Sequence, residues 1–80
     1  MIGEKIVLLR KKLGKTQDEL AKHLGSTRQS VSFYESGKRN PDPNTINAIA
    51  DFFGCSTDYL LGRTEIVFPP EDYSENVSFV

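Results

Sequence analysis

The sequence predicts an all-α domain of five short helices. Apolar residues recur at helical spacing in successive segments. A Ser, Thr or Asp that can cap a helix precedes each segment after the first, and a glycine follows every segment. No segment within residues 1–62 alternates apolar and polar residues as a half-buried strand would.

The first helix is predicted over residues 3–13. Ile6, Leu9 and Leu13 recur along one face, and Gly14 ends the helix. The basic residues on or near the polar side are Lys5, Arg10, Lys11 and Lys12.

Two further helices with a tight turn between them are predicted at about Gln17–Leu24 and Arg28–Glu35. Thr16 can cap the former, with Glu19 completing a capping box. Gly25 suits the left-handed position after it. So short a connection forces a steep crossing, which is the helix-turn-helix geometry. The apolar positions of the pair are Leu20, Ala21, Leu24, Val31 and Tyr34.

The fourth helix is predicted to begin at Pro43, where the missing N–H of proline costs nothing, after an Asp42 cap. Gly54 ends it, and Ser56 or Thr57 caps a last short helix that Gly62 ends. The expected buried stripe of the fourth helix is Ile46, Ile49, Ala50 and Phe53.

Charge is unevenly distributed along these 80 residues, although the net charge is only −1. Residues 1–64 contain all ten Lys and Arg against seven acidic residues, whereas residues 65–80 contain four acidic residues and no basic one. The predicted helical domain is therefore mildly basic, and the overall charge does not exclude nucleic acid.

Several classes of function find no support in the residues. A single histidine and a single cysteine, His23 and Cys55, form no metal set, and no cofactor is predicted. Cys55 fits a small buried hydrophobe better than a reactive thiol, and excludes a disulfide within the chain. No catalytic constellation is present, so an enzyme is not expected. Without a secretory signal or an apolar run of membrane-spanning length, a cytoplasmic location is expected, with no membrane partner.

The segment TQDELAKHLGSTRQSVSFYESGKRNP, from Thr16 to Pro41, resembles the helix-turn-helix of the phage repressor and Cro family, also called the Xre family. The resemblance covers roughly residues 3–62 and implies a lambda-repressor-like DNA-binding fold. The matching positions are Thr16, Gln17, Leu20, Ala21, Gly25, Thr27, Arg28, Gln29, Val31, Tyr34, Glu35 and Gly37.

The third helix is then the recognition helix, whose N-terminal outward residues read base edges in the major groove. The predicted base readers are Thr27, Arg28, Gln29 and Ser32. Arg28 can bond twice to guanine and Gln29 twice to adenine. A phosphate contact competes for Arg28, and a capping role is expected of Thr27 in any case.

Phosphate contacts are predicted around this helix. The resemblance implies that Gln17, at the start of the second helix, grips one phosphate, with a plain helix-start role as the alternative. The other predicted phosphate contacts are Ser30, Lys38, Arg39 and Asn40; Lys11 and Lys12 are weaker candidates. Phe33 departs from the family pattern and either packs against the fourth helix, which we favour, or contacts sugars or thymine methyls.

Arg10 and Glu35 match positions that commonly form an ion pair in this family. The resemblance implies a structural role for the pair, fixing the third helix relative to the first.

Two domains of sequence are distinguished: a helix-turn-helix domain over residues 1–63, and an acidic, proline-containing linker or tail over residues 64–80. We interpret the tail as leading to a further C-terminal domain. Ile66–Phe68 offers an alternative as a short strand added to a partner.

The predicted function is a transcriptional regulator, most like a repressor, that binds a near-palindromic double-stranded DNA operator as a homodimer. The dimer contact is expected from Tyr59, Leu60 and Leu61, or from the further domain. The alternative is an antitoxin that binds its own operator and holds a toxin through residues 65–80.

Overall fold

Five helices make up the computed structural model, which describes residues 2–65. They are α1 (Ile2–Lys12), α2 (Gln17–Leu24), α3 (Arg28–Ser36), α4 (Pro43–Phe53) and α5 (Thr57–Leu60). This part of the chain contains no strand, which confirms the predicted all-α fold. The strand considered at Ile66–Phe68, and all but the first two residues of the predicted tail, lie outside the described residues.

The four helices after α1 each begin directly after a capping side chain. Thr16 Oγ1 accepts from the Glu19 backbone N–H at 3.0 Å, and a Glu19 carboxylate oxygen accepts from the Thr16 N–H at 2.9 Å, which completes the capping box. Asp42 accepts from the Thr45 N–H at 2.7 Å, and Ser56 caps α5. Each of these bonds joins residues only three positions apart, so the amino-acid sequence is enough to predict them.

The first helix ends earlier than predicted. It stops at Lys12, and Leu13, which was expected on its buried face, is 39% exposed. Leu9 is therefore the last buried residue of α1. Gly14 turns the chain, with a φ of +68°, directly after Leu13.

The core lies where α1, α2, α4 and α5 converge behind α3. Its fully buried large side chains are Ile6, Leu9, Leu20, Val31, Ile49 and Leu60. Tyr59 and Leu60 belong to this core at 5% and 0% exposure, so the prediction that they form apolar surface for a dimer is wrong. Only Leu61 of the three is exposed, because α5 turns Tyr59 and Leu60 inward against α1 and α4.

Close approach of two backbones fixes α1 against the end of α3. A Cβ added to Gly3 would lie 2.5 Å from the Glu35 carbonyl oxygen and 2.6 Å from that of Tyr34. Neither oxygen belongs to a flexible side chain, so any larger residue would push the helices apart. Gly3 therefore sets the distance between α1 and the C-terminal end of α3.

Cys55 is buried against the core, and burial raises the pKa of its thiol. The structure therefore confirms Cys55 as a small buried hydrophobe. Within residues 2–65, no group of three His, Cys, Asp or Glu residues is placed to hold a metal ion. In the same range, each helix is too short or too polar to span a membrane.

Candidate nucleic-acid interface

The turn between α2 and α3 is tight and leaves the start of α3 at the surface. Only Gly25, Ser26 and Thr27 connect the two helices, and Gly25 adopts the left-handed conformation, with a φ of +64°. The Ser26 N–H then donates to the Ala21 carbonyl at 2.9 Å, which closes the end of α2. α2 and α3 pack directly on each other after this turn, and the first residues of α3, Arg28 and Gln29, are exposed.

One face of α3 is buried and the opposite face is exposed. Val31 is fully buried in the core. Arg28, Gln29 and Ser32 are exposed, with the Arg28 side chain 68% exposed. We call Arg28, Gln29 and Ser32 the outer face. Since none of these side chains is acidic and each carries hydrogen-bond donors, the outer face can approach the acceptors of a major groove.

Thr27 and Ser30 form the N-terminal cap of α3. Thr27 Oγ1 accepts from the Ser30 N–H at 3.1 Å and donates to Ser30 Oγ at 3.1 Å. These bonds make Thr27 the N-cap of α3, as predicted, and its side chain is exposed. Ser30 is half-buried at the side of the helix. Arg39 Nη1 also donates to Ser30 Oγ at 3.4 Å, which ties the loop after α3 to the start of the helix.

The loop that follows α3 folds back onto Phe33. Lys38 Nζ lies 5.9 Å and the Arg39 guanidinium carbon 5.2 Å from the centre of the Phe33 ring. The Arg39 N–H donates to the Phe33 carbonyl at 3.2 Å. Phe33 is half-buried and lies outside the core cluster, and the two cations of the loop lie against its ring.

Gln17 stands at the first position of α2, facing α3. Its Nε2 donates to Glu35 Oε1 at 2.9 Å, and its side chain is half-buried. A shallow cleft opens beside it, lined by Arg10, Thr16, Gln17, Asp18 and Arg28. Its lining shows that the start of α2 lies next to the start of α3.

Arg10 and Glu35 are in direct contact. Arg10 Nε donates to Glu35 Oε2 at 2.8 Å and Nη2 donates to Oε1 at 3.3 Å. The side chains are only 16% and 8% exposed. Arg10 also donates to the Lys15 carbonyl at 3.2 Å. The one acidic residue of α3 is therefore paired internally and adds no negative charge to the outer face.

Three features of this region were not found by sequence reasoning. Gly3 gave no local signal, because its close approach to α3 depends on packing of distant segments. Asp18 Oδ1 lies 4.0 Å from Arg28 Nε, an exposed approach between two helices that spacing alone does not reveal. The bond from Gln17 to Glu35 joins residues 18 positions apart, and the predicted roles of both residues left it out.

The helix-turn-helix family profile matches residues 6–60, which run from α1 into α5, and the chain belongs to this family, of the phage repressor and Cro, or Xre, type. Two curated relatives agree with that membership. A prophage-derived HTH-type transcriptional regulator, YonR of Bacillus subtilis (strain 168), is 40% identical over 68 residues, covering 85% of this chain and 63% of the relative. The antitoxin PezA of Streptococcus pneumoniae is 37% identical over 73 residues, covering 91% of this chain and 46% of the relative. The chain thus spans about half to two thirds of these relatives.

A solved structure matches the fold over nearly its whole length. The P22 c2 repressor, crystallised in complex with a synthetic operator, superposes with a TM-score of 0.75 at 33% identity. The match covers 80% of this chain and 97% of the repressor chain. This agreement confirms the lambda-repressor-like arrangement predicted from the sequence.

Proposed function

We propose that the chain is a sequence-specific DNA-binding transcriptional regulator, most like a repressor, whose recognition helix is α3. The observation that carries the proposal is the exposure of Arg28, Gln29 and Ser32 at the start of that helix, in a chain that is similar to a repressor crystallised with a synthetic operator. An α-helix fits the major groove, and residues near its N-terminus reach the base edges first.

The outer face supplies the base readers. In this proposal Arg28 bonds twice to guanine O6 and N7, and Gln29 bonds twice to adenine N6 and N7, with about 1–3 kcal/mol of discrimination for each good pair. Ser32 lies one turn further along and reaches a base or a thymine methyl. Thr27 combines its cap with a contact at the rim of the groove.

Phosphate contacts flank the outer face on both sides. Lys38, Arg39 and Asn40 are exposed on the loop after α3, and Ser30 lies beside Arg39. Gln17 lies on the other side, at the start of α2, where backbone N–H groups and the helix dipole favour an anion. Contacts of this kind fix the register of the protein on DNA without reading its sequence.

The cations above Phe33 favour a second role for its ring. Lys38 and Arg39 hold Phe33 at the same surface that presents the loop. We therefore assign Phe33 to contacts with sugars or thymine methyls, which the sequence analysis gave as the alternative to packing against the fourth helix.

A homodimer on a near-palindromic operator completes the proposal. Half-sites then lie about 34 Å apart, one helical turn of DNA. A single small domain covers only about 600–1,000 Å² of interface, so two copies are needed for useful affinity. Residues 1–63 act as the DNA-binding domain, and residues 64–80 as a linker to a further domain. The chain acts in the cytoplasm on DNA, without catalysis.

An antitoxin is the second candidate function. It is favoured by the similarity to PezA over 91% of this chain. The same domain would bind an operator, and residues 65–80 would hold the toxin. A toxin-like reading frame beside the gene distinguishes this candidate from a simple repressor.

The experiment that tests the proposal is selection from a pool of random duplexes, followed by gel-shift titration of the winners. We expect one enriched sequence with two related half-sites, bound at least about a thousandfold more tightly than random DNA at the same salt concentration. Recovery of no enriched sequence would contradict the proposal.

A further inference from the structure

The Glu35 carboxylate holds side chains from two other helices at once. Its Oε2 accepts from Arg10 of α1, and its Oε1 accepts from Gln17 of α2 at 2.9 Å. The bond from Gln17 to Oε1 is shorter than the 3.3 Å bond that Arg10 makes to the same oxygen. An ionised carboxylate has about four acceptor sites, so both partners are accommodated. Glu35 is thus more than half of an ion pair.

This arrangement determines which way the Gln17 amide turns. A carboxylate accepts hydrogen bonds and donates none, so the Gln17 NH₂ group must face Glu35. The amide therefore keeps one fixed orientation at the start of α2. A glutamine side chain free in solvent would lose rotamer entropy on gripping a phosphate, whereas this one is already ordered.

We propose that Glu35 is a positioning residue for DNA binding, which acts through Gln17. One N–H of the Gln17 amide donates to Glu35, which leaves the second N–H to donate to a phosphate. Glu35 thereby fixes the phosphate contact at the start of α2 relative to the recognition helix. This inference rests on the proposed function. It assigns to Glu35 a role in DNA affinity that is separate from its ion pair with Arg10.

Two substitutions separate those roles. Glu35→Asp keeps the charge for the long Arg10 side chain but withdraws the carboxylate by one methylene from Gln17. Arg10→Lys is the matched control, because it weakens the ion pair and leaves the bond from Gln17 to Glu35 in place. Gln17→Met removes the amide at similar side-chain length. Each variant is assayed at a temperature where circular dichroism shows it folded.

The readout is interference by methylphosphonate, a neutral replacement for single phosphates, across the duplex selected by the wild-type chain. We expect neutralisation of the phosphate that Gln17 contacts to weaken binding of the wild type and of Arg10→Lys by roughly tenfold. That loss corresponds to one charge-assisted hydrogen bond. The same replacement should have a clearly smaller effect on Gln17→Met and on Glu35→Asp, because without an ordered Gln17 amide that phosphate contacts only the backbone N–H groups of α2. The double variant that combines Gln17→Met with Glu35→Asp should bind no more weakly than Gln17→Met alone, because substitutions within one network are not additive.

Other outcomes overturn the inference. If Glu35→Asp lowers affinity but keeps the wild-type pattern of sensitive phosphates, Glu35 has a structural role only. If Glu35→Asp does not fold, the side-chain amide NMR signals of Gln17 in the wild type, assigned by their absence from Gln17→Met, decide: they should shift on adding the duplex, and unchanged signals would refute the inference. Failure of the wild type to select any duplex would instead refute the proposed function.

Discussion

The two sides of α3 differ in what holds them. On the inner side, Val31 is buried in the core, Glu35 is bonded to two other helices, and the backbone of the last turn touches Gly3. On the outer face, Arg28, Gln29 and Ser32 are exposed. One nine-residue helix thus packs against the fold with one set of residues and leaves another set exposed, where the proposed base readers lie. Substitutions on the outer face should therefore affect DNA binding and leave stability unchanged. Substitutions on the inner side should lower stability, and at Glu35 they should also affect DNA binding through Gln17.

The largest effect is expected on the inner side from Arg10→Met. This substitution leaves the nearly buried Glu35 carboxylate without a cationic partner, and only the hydrogen bond from the uncharged Gln17 amide remains. Loss of one partner of a buried pair costs about 3–5 kcal/mol. Urea unfolding should show this loss for Arg10→Met and less than about 0.5 kcal/mol for the exposed neighbour Lys12→Met. Equal stability of the two variants would show that the pair does not anchor α3.

The outer face should give the opposite result. Arg28→Ala and Gln29→Ala each remove an expected base contact worth about 1–3 kcal/mol of discrimination. Gel shifts should show weaker binding to the selected duplex, with little change on random DNA. The unfolding free energy should stay within about 0.5 kcal/mol of the wild type, because both side chains are exposed. A variant that keeps the wild-type base preference would remove that residue from the base readers.

The contact between α1 and α3 is tested by Gly3→Ala. The added methyl meets backbone oxygens at 2.5 and 2.6 Å, so α1 must move. Overpacking of this kind costs about 1–3 kcal/mol, part of which the better helix propensity of alanine offsets. Thermal unfolding should show a lower midpoint for Gly3→Ala than for the wild type. Leu8→Ala, on the exposed part of the same helix, serves as the control and should change the midpoint little.

The loop after α3 should contribute affinity without sequence preference. Lys38→Ala should weaken binding to selected and random duplexes alike. It should also reduce the slope of log affinity against log salt by about 1, since one fewer counterion is released. Arg63→Ala, which removes a basic residue after α5, should leave the slope unchanged. A selective loss on the selected duplex alone would mean that Lys38 reads bases.

The smallest effect is expected from acid titration of a helix cap remote from the outer face. Hydrogen bonds from the Thr45 side chain and backbone lower the pKa of Asp42 below its usual 3.8. A carboxyl whose pKa is lower in the folded state stabilises the fold above pH 3.8, and this contribution is lost as the pH falls through the folded-state pKa. Asp42→Asn keeps a good cap but removes the titration. Its stability should therefore fall less between pH 5 and pH 2 than that of the wild type; parallel curves would contradict this.

Local signals explain how much of the fold was predictable. Thr16, Thr27 and Asp42 cap their own helices, so the starts of α2, α3 and α4 followed from adjacent residues. Leu13 was misplaced because its helix ends one residue earlier. Tyr59 and Leu60 were misassigned as surface because burial on α5 depends on where α1 and α4 pack.

In the candidate site, too, local features were predictable and contacts between distant segments were not. Exposure of Arg28 and Gln29 followed from helical spacing, because Val31 claims the core. The bond from Gln17 to Glu35 and the packing of the loop on Phe33 join segments that meet only in the folded chain. Spacing within one helix contains no information about such contacts.

The central claim is that the outer face of α3 enters a DNA groove, and NMR chemical-shift mapping with the selected duplex tests it most directly. We expect the largest chemical-shift changes of backbone and side chain at Arg28, Gln29 and Ser32. Smaller changes are expected in the loop that contains Lys38 and Arg39. Residues of α5, on the far side of the core, should remain unchanged. Shifts concentrated on α5, with Arg28 and Gln29 unaffected, would contradict the account.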